Sequence, residues 1–473
     1  MKMKKYLFLS LLLISSFSQA QFFQHAYGGS TGEEGIRVFM APDSGYYLIS
    51  DSGYFKSIIV TKTDRFGDSL WSKFIKVPPS YYSDFNSNVC QTNDMGYAVV
   101  FSSSDTSSLV PQDTTFILKY DSSWNIQYSF SFTDTNFKHP TQIIQTSDSC
   151  YLVTGIGGKD NFGFPFYIYA TKFSSSGIVL WDTLMLPNLN CGPYPVQIIE
   201  TTDHHYLIAA YQGYCDNSAG DLKFIKIDAA GNIIWIKTYY SSFYGGIHPI
   251  IESLSGFFIS ANTAQHNGDN PICTILKFDT AGNFLGEKVF MTNNSISFNS
   301  FTRSPFGGYY LTGTLGVFNQ QIIVTRIDEA VDSLSSFTFS DTSYILKGNY
   351  ITQFDNGNLA IVGTLALSQS YLIVCDSSGN IPLGVHSIVQ NNIHDIYIFP
   401  NPTSVTFTLS YNSQTPILNS QLKIYDVLGQ EVYTQAITNP NQTTINVSQL
   451  SNGVYFYQLN NNTETYRGKF VKE

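Results

Sequence analysis

Asp43-Ser-Gly-Tyr-Tyr-Leu-Ile-Ser50, then Ile58-Ile-Val-Thr-Lys-Thr-Asp64 and the turn Gly67-Asp68, form a pattern that this chain repeats seven times. The first half returns as Gly96-Tyr-Ala-Val-Val-Phe101, Cys150-Tyr-Leu-Val-Thr154, His205-Tyr-Leu-Ile-Ala-Ala210, Gly256-Phe-Phe-Ile-Ser260, Gly308-Tyr-Tyr-Leu-Thr312 and Asn358-Leu-Ala-Ile-Val362. The position of Asp64 returns as Asp121, Ser174, Asp228, Asp279, Asp328 and Asp376, at intervals of 57, 53, 54, 51, 49 and 48 residues. Three residues later stand Gly67, Trp124, Gly177, Gly231, Gly282, Val331 and Gly379, as a turn with positive φ would want. Seven residues past the anchor, Trp71, Trp181 and Trp235 share one structural position, while Trp124 is out of register.

An apolar segment precedes each unit, as in Ile36-Arg-Val-Phe39, Gln142-Ile-Ile-Gln145 and Gln197-Ile-Ile-Glu200, and a polar turn joins it to the aromatic strand. Each unit therefore carries four short strands joined by hairpin signals. The second strand is apolar on both faces, as in sheets covered on both sides. Four strands per unit of about fifty residues fit a β-propeller blade. The chain is expected to be all-β: a seven-bladed β-propeller over 21–389, a polar linker over 390–395, and a small Ig-like β-sandwich over 396–473. Phe22-Phe-Gln-His-Ala-Tyr27 is the expected closing strand of the last blade, with Ile381 to Ile388 as the alternative. The recurrent Lys62–Asp64 pair has a structural reading: the Asp opens the turn by bonding its backbone, with the Lys alongside.

Lys2, Lys4 and Lys5, the apolar run from Tyr6 to Phe17, and Ser18-Gln-Ala20 make residues 1–20 a secretory signal peptide. The run is too short to span a membrane. Charged residues are 13% and aromatics 15%, and the net charge of −10 is spread without a basic stripe, which argues against nucleic acid as a partner. Of six cysteines, Cys90, Cys150, Cys273 and Cys375 lie on expected strands and read as small apolar residues. Cys191 and Cys215 flank the fourth unit in loop-like sequence and are the expected disulfide.

From Ile396 the repeat stops, and seven short strands follow in under 80 residues. Phe399-Pro-Asn-Pro402, Ile424-Tyr-Asp-Val-Leu-Gly-Gln-Glu-Val432, Leu450-Ser-Asn-Gly-Val-Tyr-Phe-Tyr457 and Gly468-Lys-Phe-Val-Lys472 stand in that order. This segment resembles the type A C-terminal sorting domain of the type IX secretion system. Pro400, Asn401, Pro402, Gly429, Gly453, Gly468 and Lys469 carry the motif. The resemblance implies Sec-dependent passage to the periplasm, handling by the type IX machinery, and release or attachment to surface lipopolysaccharide. An ordinary Ig-like carbohydrate-binding or linker domain is the competing reading.

No Gly-x-Ser-x-Gly elbow, His-Glu-x-x-His, P-loop or EF-hand loop occurs, so neither cofactor nor metal is expected and catalysis is not indicated. His204-His205 reads as a solvated turn rather than a metal site. Loops between the second and third strands vary most, and variable loops on a rigid scaffold are where recognition lives. The candidate ligand-binding residues are Lys159, Asp160, Asn161, Phe162, Phe164 and Phe166, whose aromatic, amide and carboxylate groups suit a sugar or peptide. Packing of these aromatics between blades is the competing reading. The function expected is a binding or adhesion module for protein or glycan. The alternative is an extracellular polysaccharide hydrolase or lyase using acids such as Asp160, Asp216 or Asp269, since glycoside hydrolysis needs two carboxyl groups that converge.

Overall fold

A computed structural model describes residues 22–381 and 396–473, apart from 29–31, 53–56, 77–87, 106–111, 135–136, 159–165, 190–192, 213–219, 244–246, 264–271, 291–294, 317–319, 342–343, 367–368, 400, 412–419, 428, 438–441 and 461–464. The chain divides into two units, Met1–Pro382 and Leu383–Glu473. The described residues are all-β, and the first unit holds seven four-stranded antiparallel sheets like propeller blades.

Each of the first six sheets is a meander of four consecutive strands. Sheet 1 runs Glu33–Met40, Tyr46–Ser52, Ser57–Thr63, Ser69–Lys76, and sheets 2 to 6 begin at Val89, Phe137, Pro193, Ile247 and Ile296. Sheet 7 takes Leu346–Gln353, Leu359–Leu365 and Gln369–Cys375 from its own repeat. Its fourth strand is Phe23–Tyr27, from the other end of the unit, with Phe23 opposite Val374 and Tyr27 opposite Ser370. The N-terminal segment thus takes the place that the sequence reading assigned to it.

Strand periodicity explains how the sheets meet. Successive side chains point to opposite faces. On the second strand of sheet 2, Tyr97, Val99 and Phe101 pack against Ile49 and Val60 of sheet 1. The intervening Ala98 and Val100 pack against Ile143, Tyr151 and Val153 of sheet 3. The same division continues through sheets 3 and 4, 4 and 5, 5 and 6, and 6 and 7. The seventh apolar cluster joins sheet 7 to sheet 1, with Ala360, Val362 and Leu372 against Val38, Tyr46 and Leu48. Every second strand is buried on both faces, which accounts for its blurred alternation.

Polar links join the first strands. A register shift interrupts six of them, for instance between Pro140 and Gln142 and between Pro195 and Gln197. Such bulges re-aim side chains. Here Gln142 accepts the Ile198 N–H at 2.5 Å and Gln197 accepts the Ile250 N–H at 2.8 Å, each in the next sheet. Asn349 of sheet 7 donates to the Gly35 carbonyl of sheet 1 at 2.9 Å.

The anchor Asp behaves as read from sequence. Asp228 Oδ1 accepts the N–H groups of Ala230 and Asn232 at 2.9 and 2.8 Å, and Asp121, Asp279 and Asp376 repeat the arrangement. The glycine three residues later has two jobs. Gly231 sits at φ +86, and a Cβ there would lie 2.6 Å from the Trp181 ring of the preceding sheet. Trp235 covers Gly282 in the same way, so Trp181 and Trp235 are inter-sheet lids on the next turn. Trp124 replaces that glycine, at φ 61, and turns its own ring into the boundary between sheets 1 and 2.

The second unit has two antiparallel sheets. One joins Ile396–Phe399, Thr406–Tyr411 and Gln442–Asn446, and the other orders Glu431–Ala436, Gln421–Tyr425, Gly453–Asn460 and Thr465–Lys472. Phe407, Leu409, Leu422, Ile424, Ile445, Leu459 and Phe470 share one core between them.

Candidate functional site

Each meander places its loops at two ends. The second strands end and the third begin at one end, and the tight turns that follow the first and third strands lie at the other. The ligand-binding candidates Lys159, Asp160, Asn161, Phe162 and Phe164 fall outside the described residues, as do Cys191, Cys215, Asp216 and Asp269. Phe166 is half-buried and pairs with Gly158 at the start of its strand. Cys273 and Cys375 are buried, while Cys90 and Cys150 are half-buried.

The turn end is described in detail, and there the lysine of each of the first four repeats has a carboxylate partner that sequence reading missed. Lys62 has an ion pair elsewhere in the hairpin. It reaches Asp43, in the turn before the aromatic strand, at 2.8 Å. Lys119 likewise meets Asp94, Lys172 meets Asp148, and Lys226 meets Asp203, at 2.9, 2.6 and 2.6 Å. These lysines are buried, with 3% of the Lys119 side chain exposed. Partial burial alone would raise the Asp94 carboxyl, but bonds from Thr92, Lys119 and the Gly96 N–H outweigh it and bring it down to about 2. Burial is likewise outweighed at Asp148 and Asp203, chiefly by the lysine and a threonine hydroxyl, and both are held well below the usual carboxylate range.

The linkage has a definite sign. A carboxylate depressed on folding stabilises above its unfolded pKa of about 4, and that contribution is lost as pH falls through the folded value. The urea midpoint is expected to fall between about pH 4 and pH 2 and further below, and Asp148→Asn should lessen the fall. At pH 7 the variant should lose about 1–3 kcal/mol, because it strands a buried ammonium, though less than a fully buried pair would cost. The Asp148 side chain is 53% exposed, which limits the loss. Equal pH profiles for both proteins would refute the assignment.

A second contact ties neighbouring turns. The residue closing a first strand accepts the N–H of the preceding sheet's turn: Gln145 from Asn93 at 2.6 Å, Glu200 from Ser147 at 2.7 Å, and Glu252 from Thr202 at 3.0 Å. His204 lies in one such turn at φ 58 with its side chain 73% exposed, and no group of metal-ligating residues occurs among the described residues. Between sheets 4 and 5 the contact leaves a cavity of about 190 Å³. At the turn end of sheets 5 to 7 a cavity of about 550 Å³ opens, lined by Leu254, Arg303, Pro305, Glu329, Gln353 and Asp355 among others.

In the second unit, the motif at Asn401 grips the last strand. Asn401 Oδ1 accepts the Val471 N–H at 2.8 Å, the Thr403 N–H donates to the Val471 carbonyl, and the Glu473 N–H donates to the Thr403 carbonyl. Pro402 is exposed and Pro400 lies outside the described residues. Gly429 closes a turn at φ +81 beside Asp426. Gly453 opens its strand opposite Lys472, Lys469 sits opposite Phe456, and a Cβ on Gly468 would lie 2.5 Å from the Tyr457 ring. Residues 397–473 match the secretion system C-terminal sorting domain family. The tail is a type IX sorting domain. A protein carrying this sorting domain is handled by the type IX machinery and exported to the cell surface or secreted. No helix among the described residues is long and apolar enough to cross a membrane.

Among curated proteins, the chain is 26% identical over 126 residues to an endo-acting ulvan lyase of Formosa agariphila, covering 26% of this chain and only 23% of the lyase. Among solved structures it is similar to the apocarotenoid oxygenase of Synechocystis, at 11% identity and TM-score 0.41, over 64% of this chain and 71% of the oxygenase. A protein of unknown function from Dyadobacter fermentans aligns at 12% identity and TM-score 0.37, over 61% of this chain and 99% of its own. The two structural likenesses, at these TM-scores, carry no functional argument.

Proposed function

We propose that this is an exported binding protein. Residues 1–20 are a signal peptide lost on export, 21–389 close into a seven-bladed β-propeller, 390–395 link, and 396–473 form an Ig-like sandwich that sorts the propeller to the surface or the medium. The propeller serves adhesion or recognition of a protein or glycan, through the variable loops that include Lys159, Asp160, Asn161, Phe162, Phe164 and Phe166. Cys191 and Cys215 pair to brace the adjoining loops. Attachment to surface lipopolysaccharide is the route by which the protein stays on the cell. The observation that supports this reading most is the sorting domain itself, joined to a repeat scaffold whose loops vary most at one end.

A second reading is supported by the partial likeness to a lyase: an extracellular polysaccharide hydrolase or lyase in which loop acids converge. One experiment separates the two. The exported protein is probed on arrays of polysaccharides and extracellular proteins, and each ligand is assayed for released product. Binding without product is expected. Product formed from any bound polysaccharide would establish the second reading, and binding to neither array would remove the first.

A further inference from the structure

The large cavity lies where the turn contact that joins sheets 2 to 5 is not made at two successive boundaries; sheet 1 also lacks its residues, with Met40 and Pro42 in the two positions. At the position of Gln145, Glu200 and Glu252 the sixth sheet has Arg303, which has no acceptor to offer the preceding turn. The Leu254 N–H turns instead to Glu329, at 3.3 Å. At the position of Asn93, Ser147 and Thr202 the sixth sheet has Pro305, which has no N–H to donate. Gln353 Nε2 still bonds its own turn at Gly357, as Gln145 bonds Ser149, but its Oε1 is buried without a partner. Glu329 follows the anchor Asp328, where the other repeats have Arg65, Ser122, Ser175, Ala229, Thr280 and Ser377. The contact made between sheets 2 and 3, 3 and 4, and 4 and 5 is replaced at the next two boundaries by charged side chains around one opening.

The charges are held apart. Arg303 is exposed and forms no ion pair among the described residues, although Glu329 and Asp355 line the same cavity. Glu329 is fixed by the Tyr309 hydroxyl at 2.6 Å as well as by Leu254, so it is not at liberty to swing to the guanidinium. Two carboxylates and one guanidinium oppose a purely anionic guest and favour one that carries both signs. A cavity of about 550 Å³ is within the range that holds small ligands.

We propose that this cleft binds a small peptide-like zwitterion, an amino acid or short peptide, with its carboxylate on Arg303 and its ammonium between Asp355 and Glu329. The guanidinium suits a bidentate carboxylate. Leu254 and Pro305 give the rim an apolar edge for the ligand's side chain. This cleft is at the end of the meanders opposite to where the second strands finish, so its ligand is independent of the partner proposed above.

The test is saturation-transfer NMR on the full chain with a mixture of the twenty amino acids and with trialanine, using glucuronate as an anion that lacks the ammonium. Transfer to trialanine or to at least one amino acid is expected, with none to glucuronate. Arg303→Gln and Asp355→Asn, both at exposed side chains, should each weaken the titrated affinity at least ~10-fold, as loss of one charge-assisted contact would. Unchanged melting temperatures would show that neither variant acts through unfolding. No transfer to trialanine or any amino acid, equal transfer to glucuronate, or affinity indifferent to both substitutions would overturn the proposal.

Discussion

Deleting residues 22–28 from the exported chain is expected to abolish cooperative folding of the first unit. The segment is only one strand, but three things depend on it. Phe23 and Tyr27 are 4% and 8% exposed within the cluster that joins sheets 7 and 1. Burying two such side chains stabilises by roughly 3–6 kcal/mol. Its backbone pairs with Ser370 to Val374, and removal would leave that strand as an open edge. Its side chains also hold the next turn: the Tyr27 hydroxyl donates to the Gly67 carbonyl at 2.7 Å, and a Cβ on Gly67 would lie 2.4 Å from the Phe23 ring. A domain's net stability is only about 5–15 kcal/mol, so the loss is a large share of the whole. Circular dichroism melts and light scattering should show a broad or absent transition and aggregation. Phe23→Ala, expected to cost about 3 kcal/mol with the strand retained, grades the effect. A sharp transition near the parent temperature in the deletion would mean that the sheets do not depend on this junction.

That junction was legible in the sequence because a fourth-strand segment was missing from one end of the repeat and surplus at the other. The anchor Asp turns were legible for a related reason: their bonds are local, and local chemistry leaves a local signature. The lysine partners were not. Lys62 and Asp43 stand nineteen residues apart, and spacing along the chain suggested Asp64 instead. Residues 62 and 64 share one face of a strand, yet the buried ammonium reaches across the hairpin to the other turn. The recurrence of Asp43, Asp94, Asp148 and Asp203 was the available signal. The cleft at Arg303 was harder still. It is written in single residues rather than in the repeat, and Pro305, which has a counterpart in Pro42, acquires meaning only when Gln353 is known to lie opposite it. The contacts that make the rule, Gln145 with Asn93 and Glu200 with Ser147, span more than fifty residues each.

Trp124→Ala is expected to destabilise the first unit by about 3–5 kcal/mol, the cost of emptying a large aromatic site in a core. The ring is 0% exposed and stacks on Tyr97 at 4.3 Å with planes 10° apart. Tyr120 and Tyr47 close its other sides at 5.3 and 6.2 Å. Stacking of that kind adds about 0.5–1.5 kcal/mol per pair beyond the buried area. The indole N–H is buried without a partner, so the substitution also removes an unpaired donor, which places the cost toward the lower end of that range. The backbone supplies the sharper test. Trp124 sits at φ 61, a conformation that costs an L-residue roughly 1–2 kcal/mol and glycine almost nothing. Trp124→Gly should therefore be less damaging than Trp124→Ala by about 1 kcal/mol, the reverse of their order on an ordinary strand. Glycine would also restore the arrangement at Gly231 and Gly282, where a tryptophan of the preceding sheet lies over the turn. Trp71 is already packed at this boundary and is placed to play that part. Urea titrations followed by circular dichroism rank the two variants. Alanine proving the milder of the two would show that the ring alone, and not the left-handed turn beneath it, sets the stability of the boundary between sheets 1 and 2.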